Sequence, residues 1–455
     1  MTSTMTSKNW TENLKSHFED LAKNLFSQMK ATEELNLNLD GEHSTFLRFN
    51  NGQLRQNTVV DQKALGFEYQ SLGRKVMFEV ILTGDKAMDL QTTQILLQRA
   101  REEVAVLPED TFIVPMENKG QSSKLHTGKL LTATEAMTEI QKAAEGSDFV
   151  GLYTGGPVVR ANMNSKGQSH WFSTESFFVD YSLYTKNVNG ENKAVKGVYA
   201  DTQWDSEKFK ISLQNSKNQL SMLGRKSTAL KPGEYRAYLA PGAVAEILGI
   251  LSWGALSYAS MKKGDCAFTK LYEKEKTLSP LFSIRENFTM GFVPQFNGIG
   301  EMAPEILPLI EKGELKNMLV TSRAEKEFGM ASNGAAGGLR APEILPGEMS
   351  EAQALQKLGT GLYLSNLHYL NWSDVSTARI TGMTRYACFW VENGEIVGPI
   401  RDMRFDESLF RILGSELEAV TKEQYVDPTV MTYGQRDIGG SKIPGMLLKS
   451  MSFTL

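Results

Sequence analysis

Residues 242–261 read GAVAEILGILSWGALSYASM, and the setting assigned to this run decides the kind of fold. It approaches the length of a bilayer-crossing helix and carries a single charge, Glu246. Glycine, serine and alanine dilute its apolarity, no second span accompanies it, and its flanks lack anchoring residues on both sides. The reading is therefore a helix, Ala243 to Tyr258, buried in the core of a soluble domain. Ala245, Gly249 and Ser252 fall on one of its faces and leave room for a neighbouring element to approach closely.

Working outward, a short strand, Tyr235 to Leu239, and the pair Pro241-Gly242 lead into this helix. Arg225 to Gly233, with Lys231-Pro232-Gly233, is the best break in the chain. It divides residues 1–230 from residues 231–455. Past the helix, glycine punctuates strand-like runs at Ile306 to Ile310, Leu315 to Thr321, Gly361 to Leu370, Ala387 to Val391 and Ile396 to Ile400. Upstream, Trp10, Leu14, Phe18, Leu21, Leu25 and Met29 form one helical stripe, and alternation begins at Ser44 around the hairpin dipeptide Asn51-Gly52. A second extended pair, Leu65 to Tyr69 and Val76 to Leu82, turns near Gly73. Helices are read at Met88 to Val104, at Ala133 to Ala144 and from Ser206 to Leu223, the last closed by a left-handed Gly224. After a turn at Gly155-Gly156, the aromatic and β-branched runs Ser169 to Thr185 and Lys196 to Asp201 read as long antiparallel strands. The expected fold is α+β in two domains: an N-terminal mixed domain, then a mainly antiparallel β domain holding the buried helix.

A formal net charge of −4, with both signs interspersed, gives no sustained positive field for a phosphate backbone, so nucleic acid is not an expected partner. Cys266 and Cys388 are the only cysteines, too few for a disulfide framework, and a reducing cytoplasm fits. Met1 to Asn9 is polar and does not look like a secretory leader.

The five histidines, His17, His43, His126, His170 and His368, are scattered, and neither HExxH nor HExxxH occurs, so no metal is assigned. Ser252 fails the nucleophile-elbow pattern, because Ile250 stands where the preceding glycine is needed. Cys388 lies in the apolar run Tyr386 to Trp390 and reads as a buried, inert thiol, although His368 is a conceivable partner. The glycine-rich Asn333 to Gly338 lacks the Lys-Ser/Thr ending of a phosphate loop. Asn333, Gly334 and Arg340 are nevertheless candidates for a substrate cleft, Arg340 as a group able to pair with a carboxylate.

Several stretches, taken in order, resemble the TldD/PmbA family of metallopeptidase-related proteins. They are Thr45 to Gly66, Phe172 to Leu183, Leu309 to Gly338, Gly361 to Leu370, and Gly382 to Arg404 with its Glu392-Asn393-Gly394-Glu395 hairpin. The resemblance covers most of the chain and is strongest after Lys231. In peptidase members, Pro-Gly precedes a helix bearing HExxxH, and a cysteine near the C-terminus is a further zinc ligand. Carried over by residue, the resemblance puts Gly249 and Gly254 at the histidine positions and Ile250 at the glutamate, with Tyr433 at or near the cysteine. None of the first three binds zinc or moves a proton, and their joint replacement argues against a slipped alignment.

This departure resembles the PmbA/TldE branch, whose members pair with a zinc-bearing sister chain. The resemblance implies no cofactor in this chain, zinc only in an HExxxH-bearing TldD-like partner, and help in cleaving unstructured peptides. The alternative is a stand-alone homodimeric peptide-binding protein. A hydrolase built on Cys388 or Ser252 ranks below both.

Overall fold

Two β-sheets with no shared strand organise the chain, which the computed structural model describes over residues 7–454. The first six residues of the polar N-terminal stretch lie outside the described residues. The fold is α+β in two domains, as expected. The first sheet has seven strands. β1 (Glu33–Asn50) and β2 (Gln53–Ser71) pair along their whole length, β3 (Arg74–Ile81) extends them, and β5 (Asp148–Asn164) and β6 (Ser169–Lys186) continue the sheet beyond β1. β4 (Gln121–His126) and β7 (Asn192–Asp201) both pair with β6.

The Asn51-Gly52 turn has φ of 51° and 68° at its two residues, the left-handed pair that a two-residue hairpin needs. β1 starts well before Ser44, because Leu35, Leu37 and Leu39 alternate inward and are fully buried. Helix α1 (Ser7–Phe26) lies over this sheet with Trp10, Leu14, Phe18, Leu21 and Leu25 buried. Gly41 makes room for it, since a Cβ there would sit 2.7 Å from the Leu14 side chain. Helix α2 (Lys86–Val104) packs beside α1, while α3 (Ala133–Ala144) and α4 (Ser206–Leu223) cover the aromatic cluster of Phe149, Tyr153, Phe177, Tyr181 and Phe209.

Four local expectations change. Gly155-Gly156 is not a turn: both residues lie inside β5, and Gly156 passes so close to the His43 carbonyl that no side chain fits. Gly224 ends α4 in a right-handed conformation, φ −65°. Leu315 to Thr321 is not a strand beyond Leu315, because Thr321 caps the helix Ser322–Phe328. Gly361 to Leu370 breaks at Ser365 into two strands, Gly361–Leu364 and Asn366–Asp374.

The second, 13-stranded sheet spans residues 233–453. Its strand β8 (Gly233–Leu239) runs between Gly361–Leu364, parallel, and Gly440–Phe453, antiparallel. β8 delivers the chain to helix α5, Pro241–Leu251, with proline in its first turn. Ala243, Val244, Ile247, Ile250 and Leu251 face the core. α5 is shorter than the expected Ala243 to Tyr258. It ends at Ser252, and Gly254 turns the chain at φ +89°. Ser257 then bridges Leu319 and caps a separate helix, Tyr258–Lys262. No helix among the described residues is long and apolar enough to cross a membrane.

Candidate functional site

The face of α5 with the small residues borders a cleft rather than a packed neighbour. Ala245, Leu248, Gly249 and Ser252 form one wall of a cavity of about 660 Å³. β1 and β5 supply Asn38, Asp40 and Arg160 from the other sheet. The loop 293–298, the segment around Arg340 and the stretch 427–441 close it. A Cβ at Gly249 would meet nothing within 4 Å. The position is open to the cleft.

Two polar anchors hold the domains around this space. The Gly298 carbonyl accepts from Asn36 and Asn38 at 3.0 Å and from Asn162 at 3.1 Å, while Gln168 donates to the Ile299 carbonyl. The second anchor is Arg436, 3% exposed, in the loop between strands Leu417–Pro428 and Gly440–Phe453. Its backbone N–H donates to Glu42, and its guanidinium donates to the Gly156 carbonyl at 3.1 Å and to both Ser176 oxygens at 2.7 Å. Its planar fork suits three oxygens fixed on two strands. Burial lowers its pKa to about 10.

Inside the cleft the charges are unevenly matched. Arg160 pairs with Asp40 at 3.0 Å and reaches Asp437 only at 3.9 Å. The Asp427 carboxyl group has no hydrogen bond or ion pair among the described residues, and burial raises its pKa to about 6, with Lys196 opposing the rise and Asp180 adding to it. Burial likewise pushes Asp437 up. Glu246 opens to solvent on the outer rim of α5, yet the protein around it and then the Asp427 charge also push it up.

The residues singled out from sequence fall in different places. Arg340 lines the cleft, but its guanidinium donates to the carbonyls of Phe296, Gln295 and Gly334 at 2.8, 3.2 and 3.2 Å and lies 4.6 Å over the Phe288 ring. It braces the wall. Gly334, at φ +71°, packs against the Ala303 backbone. Asn333 ties its side chain to Met318 and Val320 and faces a separate cavity. Ile250 is buried in the core. Gly254 stands in the turn past the helix. Tyr433 is 95% exposed on the outer side of its loop and does not line the cleft. Cys388 is buried, with its pKa pushed to about 11, and its thiol donates to backbone carbonyls of Arg385 and Asn366 rather than meeting His368. Asp40, Arg160, Asp427 and Asp437 were not read from the sequence. The one trace was the glycine-flanked charged run Gly434 to Gly440.

A zinc ion does not fit the positions that the family resemblance marks. Gly249 and Gly254 offer no side-chain donor, and Ile250 offers only buried carbon. No group of three or more His, Cys, Asp or Glu among the described residues is placed to hold a metal.

Fold and cleft together define a two-domain α+β protein built around a cavity between its sheets. Residues 232–455 match the model of the PmbA/TldA metallopeptidase C-terminal domain. A metalloprotease PmbA homolog of Haemophilus influenzae is 26% identical over 286 residues, covering 60% of this chain and 61% of that protein. Metalloprotease PmbA of Escherichia coli O157:H7 is 35% identical over 95 residues, covering 21% of this chain and 20% of that protein. The chain thus spans about three fifths of the first relative's length and a fifth of the second's. In fold it is similar to TldE from Thermococcus kodakarensis (TM-score 0.76, 14% identity, 96% of this chain and 100% of that one). A putative modulator of DNA gyrase from Bacteroides thetaiotaomicron is also similar (TM-score 0.77, 14% identity, 99% of both chains). By its C-terminal domain, residues 232–455, the chain belongs to the TldD/PmbA family of metallopeptidase-related proteins.

Proposed function

We propose that this chain is a zinc-less, TldE/PmbA-like subunit that holds unstructured peptide in the cleft between its sheets. Hydrolysis falls to an HExxxH-bearing TldD-like partner. The observation that carries this reading is Gly249. Its position in the wall of a cavity of about 660 Å³ is open, and the family resemblance gives that position to the first zinc-binding histidine of peptidase members. That volume lies within the range of about 300–1,000 Å³ usual for ligand pockets. The three marked positions, Gly249, Ile250 and Gly254, offer that cavity no side-chain donor for a metal.

The work left to these residues is positioning. The Asn162–Gly298 anchor and the Arg436 anchor keep the two walls at fixed separation, so a bound peptide loses less freedom at a later encounter with the catalytic centre. The test is reconstitution. The purified chain is expected to bind no stoichiometric zinc and to leave unstructured peptides intact; cleavage appears on mixing with the HExxxH sister chain of the same organism. Robust, chelator-sensitive cleavage by this chain alone overturns the proposal. A stable homodimer that binds peptide and gains no activity from the sister chain also overturns it, in favour of a stand-alone binding protein.

A further inference from the structure

We infer, on the basis of the peptide-holding role proposed above, that the bound peptide is selected by one large apolar side chain, aromatic or aliphatic, which seats in a second cavity beside the cleft. This cavity measures about 380 Å³ and takes its walls from both domains; segments 428–429 and 437–439 line it and the cleft alike. The two segments are joined where the Thr429 N–H donates to the Gly439 carbonyl at 3.2 Å. Gly439 has φ of +128°, and a Cβ there would lie 3.3 Å from the side chains of both Thr429 and Val293. Glycine thus keeps the rib between the two cavities thin. The volume is near the lower end of the range of about 300–1,000 Å³ in which ligands are held, which suits one side chain of a peptide whose backbone crosses the rib from the cleft.

Separate elements supply its apolar lining. Phe178 of β6 is buried, Met290 and Phe292, from the stretch after strand Ile284–Asn287, are half-buried, as is Ile438, and Val426 on strand Leu417–Pro428 is 49% exposed. Side chains of this kind ordinarily close on one another to native packing density. Here contacts made by the chain around them hold their elements apart. The Arg436 guanidinium fixes the 429–440 loop to the Gly156 carbonyl and to Ser176. On another wall Gly291, at φ +71°, lies against the His126 ring, where a Cβ would come within 3.0 Å of Cε1. An apolar group entering such a cavity leaves water without first ordering the walls, so most of its burial appears as affinity. The two acids that also line it, Asp201 and Asp437, are exposed and disfavour an acidic side chain.

The experiment is fluorescence anisotropy of the full-length chain with unstructured Gly/Ser decapeptides that carry Phe, Leu, Ala or Asp at one central position. The Phe and Leu peptides are expected to bind about tenfold tighter than the Ala peptide, and the Asp peptide no tighter than Ala. The gap between Phe and Ala should hold from low to high salt, because burial of carbon is not screened. Phe292→Ser and Val426→Asp alter this cavity and not the cleft lining, and each is expected to close the gap severalfold. Val426→Trp, at a half-exposed position, fills the cavity and should close the gap as well. Urea unfolding checks that each variant folds. Equal affinity for the Phe, Leu and Ala peptides overturns apolar selection and leaves the peptide-holding role standing. A preference that persists in all the folded variants also overturns it, since the selecting surface then lies elsewhere. Failure of every peptide to bind overturns both.

Discussion

The side-chain amide of Asn162, on β5 of the first sheet, donates to the backbone carbonyl of Gly298, in a loop of the second domain, at 3.1 Å. Asn162 is fully buried, and its oxygen in turn accepts from Gln168. The hydrogen bond joins β5 to a loop of the second domain that lines the cleft. Asn162→Ala leaves the Gly298 carbonyl with fewer donors and Gln168 with an unmet N–H, a loss of about 1–3 kcal/mol. Denaturant unfolding should show a lower midpoint, and peptide affinity should fall with it because the cleft walls lose their fixed spacing. An unchanged midpoint would sink this account of the domain interface.

Arg436 offers a sharper version of the same test. Arg436→Lys keeps the charge but cannot span the Gly156 carbonyl and the Ser176 oxygens together. It is expected to destabilise by about 2–4 kcal/mol, in the range of broken buried polar networks. Limited proteolysis is the readout: new cleavage should map to residues 429–440, which the guanidinium ties to β5 and β6.

The carboxyl of Asp427 makes stability depend on pH in a direction opposite to that of a salt-bridged acid. Its folded pKa, about 6, lies above the ordinary aspartate value, so its contribution is fully present below about pH 4 and is lost as pH rises through about 6. The loss is about 1–2 kcal/mol once partial solvent access is allowed for. Asp427→Asn should therefore unfold later than the natural chain at pH 8 and about level with it at pH 4. Equal gain at both pH values would refute the titration of this group.

Rebuilding the zinc motif separates the three family positions physically. Gly249→His meets open space and should be tolerated. Gly254→His puts a side chain at φ +89°, where a Cβ also comes within 2.9 Å of Ser260, and should cost about 1–3 kcal/mol. The triple change Gly249→His, Ile250→Glu, Gly254→His should not bind stoichiometric zinc, because Gly254 lies beyond the end of α5 and Ile250 points into the core. Metal analysis after gel filtration decides; one zinc per chain contradicts this geometry.

Much of the fold was legible along the chain, because its signals are local. The α1 stripe and the Asn51-Gly52 turn depend on residues within a few positions of one another. The same holds for the buried side of α5. Gly155-Gly156 shows where this fails: Gly156 answers to the His43 carbonyl, more than a hundred residues away, and not to a turn. The end of α5 was misread for a similar reason. Ser257 leaves the helix because its backbone pairs with Leu319, a partner that no local pattern reveals.

The sequence alone determined which chemistry the marked positions lack, since glycine and isoleucine have no donor in any fold. It also determined the two-domain α+β class, through periodicity that burial enforces at short range. Only the tertiary structure decided that Arg340 is occupied with backbone carbonyls and that Tyr433 faces solvent. It alone brought Asp40, Arg160, Asp427 and Asp437 to one cavity. A charge becomes a site only through what surrounds it, and those surroundings come from strands and loops separated by up to about four hundred residues of chain.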